Sequence, residues 1–289
     1  MDGVLVCDKP AGMTSHDVVA RVRRLAGQRR VGHGGTLDPP ATGVLVLALG
    51  RATRLLPFLP MEPKRYLAVV AFGAETDTLD AAGTVTAAAP AGGLGETAVR
   101  AALPGFLGPQ LQVPPMVSAL KVGGERLYAK ARRGEQIARE PRPVTIHALR
   151  LLAFEPGERP LATLEVTCSG GTYVRALAAD LGRAVGALAH LNSLRRVAVG
   201  RFGEGDAHPL AELEALAAAG GRLPLLAPAA ALSMAVRSLS TAEAAALANG
   251  QSLTPSGRPE PVAAVAPDGR LVAVVQDGDG RARPRVVLG

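Results

Sequence analysis

Apolar residues along this chain gather into short continuous runs broken by Gly, Pro and charged clusters, alternating with stretches where they recur every third or fourth position. The first run, GVLVC at 3–7, meets Asp8, Lys9 and Pro10, and so predicts a buried strand stopped by a turn. Behind it, Thr14, Ser15, His16 and Asp17 carry the side chains of a helix start, and Val18, Val19, Val22 and Leu25 follow at helical spacing as far as Gly27. Further runs predict strands at 44–49, 66–72, 143–154, 161–168 and 190–200. Helical spacing predicts helices at 96–103, 174–185 and 210–217, with a short one at 53–59. The helix from 174 turns Val174, Leu177, Ala178, Leu181 and Val185 inward and places Tyr173 and Arg175 in its first turn. A cation there opposes the helix dipole and asks for a carboxylate or phosphate partner.

Three stretches depart from this rhythm. Residues 74–80, AETDTLD, lack the acidic spacing and glycine of a calcium loop and read as a polar turn. Residues 109–143 carry Pro114-Pro115, Gly123-Gly124 and then ERLYAKARRGEQIAREPRP, and read as an excursion from the core. Leu127 and Ala131 among those cations fit one short basic helix suited to a phosphate backbone, or else a solvated surface hairpin. From about 231, a helix capped by Ser240 and stopped by Gly250 leads into short strands near 262–266, 271–276 and 285–288. The organisation expected is therefore a domain over 1–230 with an insertion near 109–143, and a small, mostly β appendage over 231–289.

Charge narrows the partner. Thirty-two Lys and Arg against 25 Asp and Glu leave +7, which favours a polyanion such as nucleic acid, although an arginine-using and alanine-using genome would also yield a basic protein. Arg21, Arg23, Arg24, Arg29 and Arg30 form a basic edge next to the helix at 18–25, read equally as a solvated face or an RNA contact. Cys7 and Cys168 lie far apart inside apolar runs, giving neither a disulfide framework nor a zinc spacing. They read as buried thiols, and with no apolar stretch near a membrane-spanning length or a signal peptide the expected location is cytoplasmic.

Candidate chemistry centres on VGHGGTLDPPATGVLVLALG at 31–50, where Asp38 is the single carboxylate among four glycines and two adjacent prolines, leading into an apolar strand. Glycine and proline there predict a rigid, shaped loop, and alternatively simple turn punctuation with Asp38 as a cap. His16, His33, His147, His190 and His208 are scattered without metal-ligand spacing. The glycine loop lacks the Lys-Ser/Thr of a phosphate-binding loop, and no Ser or Cys sits in a nucleophile elbow. What remains is aspartate acid/base or covalent chemistry on an anionic polymer.

The 31–50 stretch closely resembles the signature of TruB-type tRNA pseudouridine synthases, and so, in the same order, do GVLVCDKPAGMTSHDVV, KRYLAVVAFGAETDTLDAAG, PPMVSALKVGGERLYAKAR and CSGGTYVRALAADLG. The resemblance implies an α/β (α+β) pseudouridine synthase fold: a mixed, mainly antiparallel sheet with flanking helices, plus a small C-terminal PUA-like, β-rich, RNA-binding domain. It implies isomerisation of the T-loop uridine at position 55 of tRNA to pseudouridine by base flipping, with no cofactor and no metal, by a monomer whose partner is tRNA and not a membrane. Asp38 matches the catalytic aspartate and Arg175 the arginine paired with it. Tyr66 matches the tyrosine that stacks on the flipped base and is placed for proton removal from C5. Tyr173 and Leu194 match residues lining the uridine pocket, and His33 the histidine that fills the space the flipped base leaves. Lys9 and Pro10 match a supporting motif rather than catalytic groups. In the basic excursion, Lys121, Arg126, Lys130, Arg132 and Arg133 are expected to contact RNA backbone.

Flipping is needed because a base stacked in a folded loop cannot be reached, and an aromatic surface offsets part of the unstacking cost. The Arg175 pairing is expected to keep Asp38 ionised at neutral pH. Attack at C1′, attack on the base and a glycal route all stay open. Three positions depart from the family pattern: Gly34 stands where Thr or Ser is usual, Pro40 where Leu is usual, and Val117 in place of a frequent Tyr. The rival from another class is a non-catalytic tRNA chaperone, which leaves Asp38 without a role. A nucleotide-binding enzyme using GHGG as a phosphate loop would need a lysine or metal ligands that are missing.

Overall fold

The computed structural model describes residues 1–116, 121–122, 125–126, 133 and 137–288. Strands β1 (Gly3–Lys9), β2 (Val31–Gly34), β3 (Thr42–Leu49) and β4 (Lys64–Phe72) come first, then a short pair, β5 (Ala74–Thr76) with β6 (Val85–Ala88). Next are β7 (Gly108–Gln112), two paired two-residue strands, β8 (Lys121–Val122) and β9 (Glu125–Arg126), then β10 (Arg142–Glu155), β11 (Leu161–Cys168) and β12 (Ala189–Val199). The described residues form one ten-stranded sheet in the order β14-β1-β3-β12-β4-β11-β10-β7, where β14 is His208–Pro209, with β2 added on β3 and β13 (Phe202–Gly203) on β12. Pairing is antiparallel except for β1 with β14 and β12 with β3. This is the mixed, mainly antiparallel sheet expected, with helices Ser15–Leu25, Glu96–Ala102, Val174–Ala184 and Leu210–Ala218 in the connections.

One detail of register positions the site. One edge of β3 is covered by β1, whereas the other is divided: Val46 to Leu49 pair with β2 and Thr42 and Gly43 with β12. The chain between β2 and β3, residues 35–41, therefore leaves the sheet where β2 gives way to β12. At that junction the backbones nearly touch, since a Cβ on Gly43 would lie 2.2 Å from the Arg196 carbonyl oxygen, and Gly43 has φ +101°. Only glycine fits there.

The helices start where their polar cues stand. Thr14 caps Ser15–Leu25 in a reciprocal capping box with Asp17, and Ser240 does the same with Glu243 for Thr241–Ala248. Val18, Val19 and Val22 then seal a core against Leu5, Leu45, Leu47 and Leu213. A second core joins Tyr66, Ala68, Val70 and Phe72 of β4 to Val174, Leu177 and Leu181. Cys7 and Cys168 are fully buried free thiols, and burial pushes them up to about 12 and about 11.

Several segments differ from the sequence reading for identifiable reasons. Val31–Gly34, read as loop because glycine dominates it, is a strand, since the open edge of β3 satisfies its backbone. Residues 50–58 wind as a 3₁₀ helix. Residues 74–76 pair with β6, and the stretch at 108–112 is an edge strand on β10 rather than the start of an excursion. A four-stranded sheet, β15 (Val236–Ser238), β16 (Val262–Val265), β17 (Leu271–Gly278) and β18 (Arg281–Val287), closes the chain. Its Ala263, Leu271, Val274 and Leu288 share a core with Val4, Val6, Val44 and Val46 of the large sheet. Among the described residues no helix is long and apolar enough to cross a membrane.

The two glycines flanking the loop should respond differently to a methyl group. At Gly43 it meets backbone at positive φ, whereas at Gly34 it meets the tip of the Met61 side chain, with Cε 2.5 Å away, which can swing aside. Gly43→Ala is expected to destabilise by about 2 kcal/mol or more and Gly34→Ala by less than about 1 kcal/mol. Urea titrations of the two variants provide the check.

Candidate active site

The loop at 35–41 has little backbone pairing of its own, so its carbonyls must find partners elsewhere. Side chains supply them. The Lys9 ammonium, on a residue with no exposed surface, donates to Pro39 O at 3.1 Å, Met13 O at 2.6 Å and Pro10 O at 3.0 Å. Arg196, equally buried, donates to Gly35 O at 3.0 Å, Thr36 O at 3.3 Å and Val44 O at 2.8 Å. Ser15 Oγ accepts from Leu37 N at 2.9 Å, and Gly12 N donates to Pro39 O at 2.9 Å. Ala41 N closes back on Asp38 O at 3.1 Å across Pro39 and Pro40, so Pro40 sits inside the turn it stiffens.

Asp38 is thereby presented to a cavity of about 280 Å³ whose walls include Tyr66, Tyr173, Leu194, Arg175 and Lys64, with Asp38 the single carboxylate in the lining. Arg175 Nε lies 3.0 Å from Asp38 Oδ2, and its Nη1 reaches Asp80 Oδ2 at 3.5 Å and donates to Thr78 O at 2.9 Å. The guanidinium is almost wholly buried, with 4% of its side chain exposed against 38% for Asp38, so the pair is shielded on the protein side and open on the cavity side. Asp80 is itself held by the Thr78 hydroxyl at 2.6 Å. The carboxylate that the cation in the helix's first turn asked for is thus present twice.

Burial pushes the Asp38 carboxyl above the usual carboxylate range; Arg175 and, further down, Lys9 oppose this, while the Asp80 charge adds to it. The ion pair therefore does not overcome the cost of desolvation. Lys9 is pushed down to about 8, by burial first, with Asp38 the leading charge opposing the shift.

Tyr66 stands opposite Arg196 in the register of β4 with β12, so the guanidinium charge acts on its phenol. Burial raises the phenol above its ordinary value, against the pull of Arg196. Tyr173 N–H donates to Gln112 Oε1 at 2.7 Å and its carbonyl accepts from Gln112 Nε2 at 3.0 Å, so edge strand β7 clamps the helix start by its backbone. His33 does not line the cavity; it sits on β2, its ring edge-on to His16 at 5.3 Å.

The structure brings Asp38, Tyr66, Tyr173, Arg175 and Leu194 together. Of the backbone-contact candidates, Lys121 and Arg126 pair between β8 and β9 and Arg133 is exposed, while Lys130 and Arg132 lie outside the described residues. Sequence reasoning missed Arg196, Asp80, Lys64 and Gln112 as parts of the site. A signal existed for Asp80, in the acidic TDTLD stretch, alongside an arginine in a helix's first turn that lacked a partner in sequence. The Met61 tip lies where a side chain at Gly34 would begin, with Cε 2.5 Å from that position.

Replacing Arg196 by Met should strip three carbonyls of their donor at once and destabilise by about 3–5 kcal/mol. Tyr66→Phe, which removes one hydroxyl and leaves the carbonyls served, should cost about 0.5–1.5 kcal/mol. Comparable losses in chemical denaturation of the two would refute the assignment of Arg196 as the loop's anchor.

Residues 23–174 match the family model of the TruB family pseudouridylate synthase N-terminal domain. Residues 175–225 match that of the tRNA pseudouridylate synthase B C-terminal domain, and residues 234–289 that of the tRNA pseudouridine synthase II C-terminus. The tRNA pseudouridine synthase B of Thermobifida fusca is 47% identical over 292 residues, covering 99% of this chain and 98% of the relative. Its counterpart in Symbiobacterium thermophilum is 53% identical over 232 residues, or 80% and 76%. Among solved structures, a chain of an archaeal box H/ACA sRNP Nop10-Cbf5 complex superposes with TM-score 0.71 at 24% identity, covering 99% of this chain and 85% of that one, a likeness of fold. With a family model over half its length and close relatives along nearly all of it, this chain belongs to the TruB family of pseudouridylate synthases.

Proposed function

We propose that this chain isomerises the T-loop uridine at position 55 of tRNA to pseudouridine, with Asp38 as the catalytic carboxylate. The observation that carries the reading is the single carboxylate of the cavity, held against a buried arginine and facing two tyrosines and a leucine. The cavity volume of about 280 Å³ is at the small end for ligand sites, a size for one nucleobase. A base flipped into it would stack on Tyr66, with Tyr173 and Leu194 closing the sides. A phenol raised above its ordinary value is a poor base at neutral pH, so the role assigned to Tyr66 is stacking.

Arg175 has two tasks in this reading. It holds the Asp38 carboxylate in one orientation, and it supplies the charge that keeps a desolvated carboxylate usable once RNA covers the mouth. Asp80 fixes Arg175 in turn. His33 would occupy the gap in the RNA left by the flipped nucleotide. The basic segment near 109–143 would grip the RNA backbone. The small terminal sheet would meet the rest of the tRNA through the exposed Arg281, Arg283 and Arg285, which alternate along β18.

Asp38→Ala, assayed on a tRNA transcript, should abolish pseudouridine formation while leaving tRNA binding in place; undiminished activity would sink the catalytic assignment, and the binding measurement separates an enzyme from a chaperone. The pH dependence supplies a second check. Since the ionised carboxylate is the working form and its pKa is raised, kcat/KM should fall on acidification with a midpoint above the roughly 3.9 of an ordinary aspartate. The stability contribution has the opposite sign: the folded state binds this proton more tightly than the unfolded one, so protonating Asp38 stabilises the RNA-free protein as it inactivates it. An acid limb at or below the ordinary value would show that Asp38 is not the group titrating.

A further inference from the structure

The cavity is lined by two cations, and they are in different states. Arg175 is committed to Asp38, Asp80 and the Thr78 carbonyl. Lys64, half-buried at the first position of β4, makes no hydrogen bond and no ion pair within 4.0 Å among the described residues. Its neighbours leave it open. Nζ lies 3.5 Å from where a Cβ on Gly35 would stand and 3.7 Å from where one on Gly170 would stand, so the ammonium is bordered by two residues without side chains. Glu62, whose charge acts on Lys64, has a carboxylate oxygen engaged by Gly170 N at 2.9 Å.

Position along the strand says what this cation suits. Lys64 and Tyr66 are two residues apart on β4, hence on the same face and separated by about 7 Å along the strand. Tyr66 is 6% exposed, whereas Lys64 reaches the rim. A nucleotide whose base stacks on the buried ring must bring its backbone phosphates past that rim. Burial and the Arg196 charge already make the ammonium costly to keep protonated, so an anion beside it recovers more than it would beside a solvated lysine.

We propose that the Lys64 ammonium binds a phosphate flanking the flipped uridine and so anchors the nucleotide while Asp38 acts on it. The inference rests on the assignment of the cavity to a flipped uridine.

The test is a double-mutant cycle between protein and RNA. T-stem-loops carrying one neutral methylphosphonate, 5′ or 3′ of the target uridine, are compared with unmodified RNA in single-turnover assays of the wild-type protein, Lys64→Gln and Lys64→Arg. Loss of one charge-assisted contact should raise the half-saturating concentration of Lys64→Gln about tenfold, mainly in half-saturation rather than in the maximal rate. Its salt slope should fall by about 0.7–0.9, and Lys64→Arg should restore most of the loss. At one of the two positions the methylphosphonate should cost the wild type a similar factor and cost Lys64→Gln nothing further. Losses that multiply at both positions would overturn the proposal, as would a wild-type protein indifferent to both modifications. That last measurement stands even if Lys64→Gln proves unstable. Failure of the wild type to form pseudouridine in unmodified RNA would instead overturn the underlying functional reading.

Discussion

The site depends on how a loop without regular pairing satisfies its backbone. Residues 35–41 leave the sheet at the one place where β3 changes partner, and their carbonyls would face a dry interior. Two cations, Lys9 and Arg196, are buried completely to serve them. Burying a charge is expensive, and it is tolerated here because Lys9 donates to three carbonyl oxygens and every nitrogen of the Arg196 guanidinium donates to one. The result is a carboxylate at a set position, because its neighbours on either side are tied to strands β1 and β12. Rigidity of this kind cannot come from glycine and proline alone. They permit the path, while the buried cations hold it.

The same economy governs the electrostatics of Asp38. Desolvation raises its pKa and Arg175 lowers it, and desolvation prevails. A carboxylate in that condition is more basic than one in water, and it keeps that character because the guanidinium opposing it is itself shared with Asp80. Had Arg175 belonged to Asp38 alone, the pull toward the ionised form would be stronger and the carboxylate less reactive. The sharing explains why an acidic turn from a remote part of the chain belongs to the site.

The elements were largely legible because burial patterns have short periods. Runs at 161–168 and 190–200 and the caps at Thr14 and Ser240 mark structure through local chemistry, and the structure follows them closely. The strand at 31–34 was illegible because VGHG offers no β-branched or alternating signal beyond Val31, and its pairing exists only through the open edge of β3. Arg196 was illegible for a related reason. A charged residue on a strand reads as solvent-facing, and only the register that sets it opposite Tyr66 places it in the core. What stands in the place of a side chain at Gly34 is the tip of Met61, a neighbour far away in the sequence that only the fold brings there.

By itself, then, the amino-acid sequence determined most of the strands and helices, that the chain is basic, and that Asp38, Tyr66, Tyr173, Arg175 and Leu194 stand in motifs that resemble one family. These follow from local spacing and residue type. Tertiary structure alone decided that these five meet around one cavity, that Arg175 is shared by two carboxylates, that Lys9 and Arg196 are spent on the loop, and that Lys64 is left open at the rim. Those facts depend on contacts between residues far apart in the chain, where burial and geometry, rather than residue type, set what each charge can do.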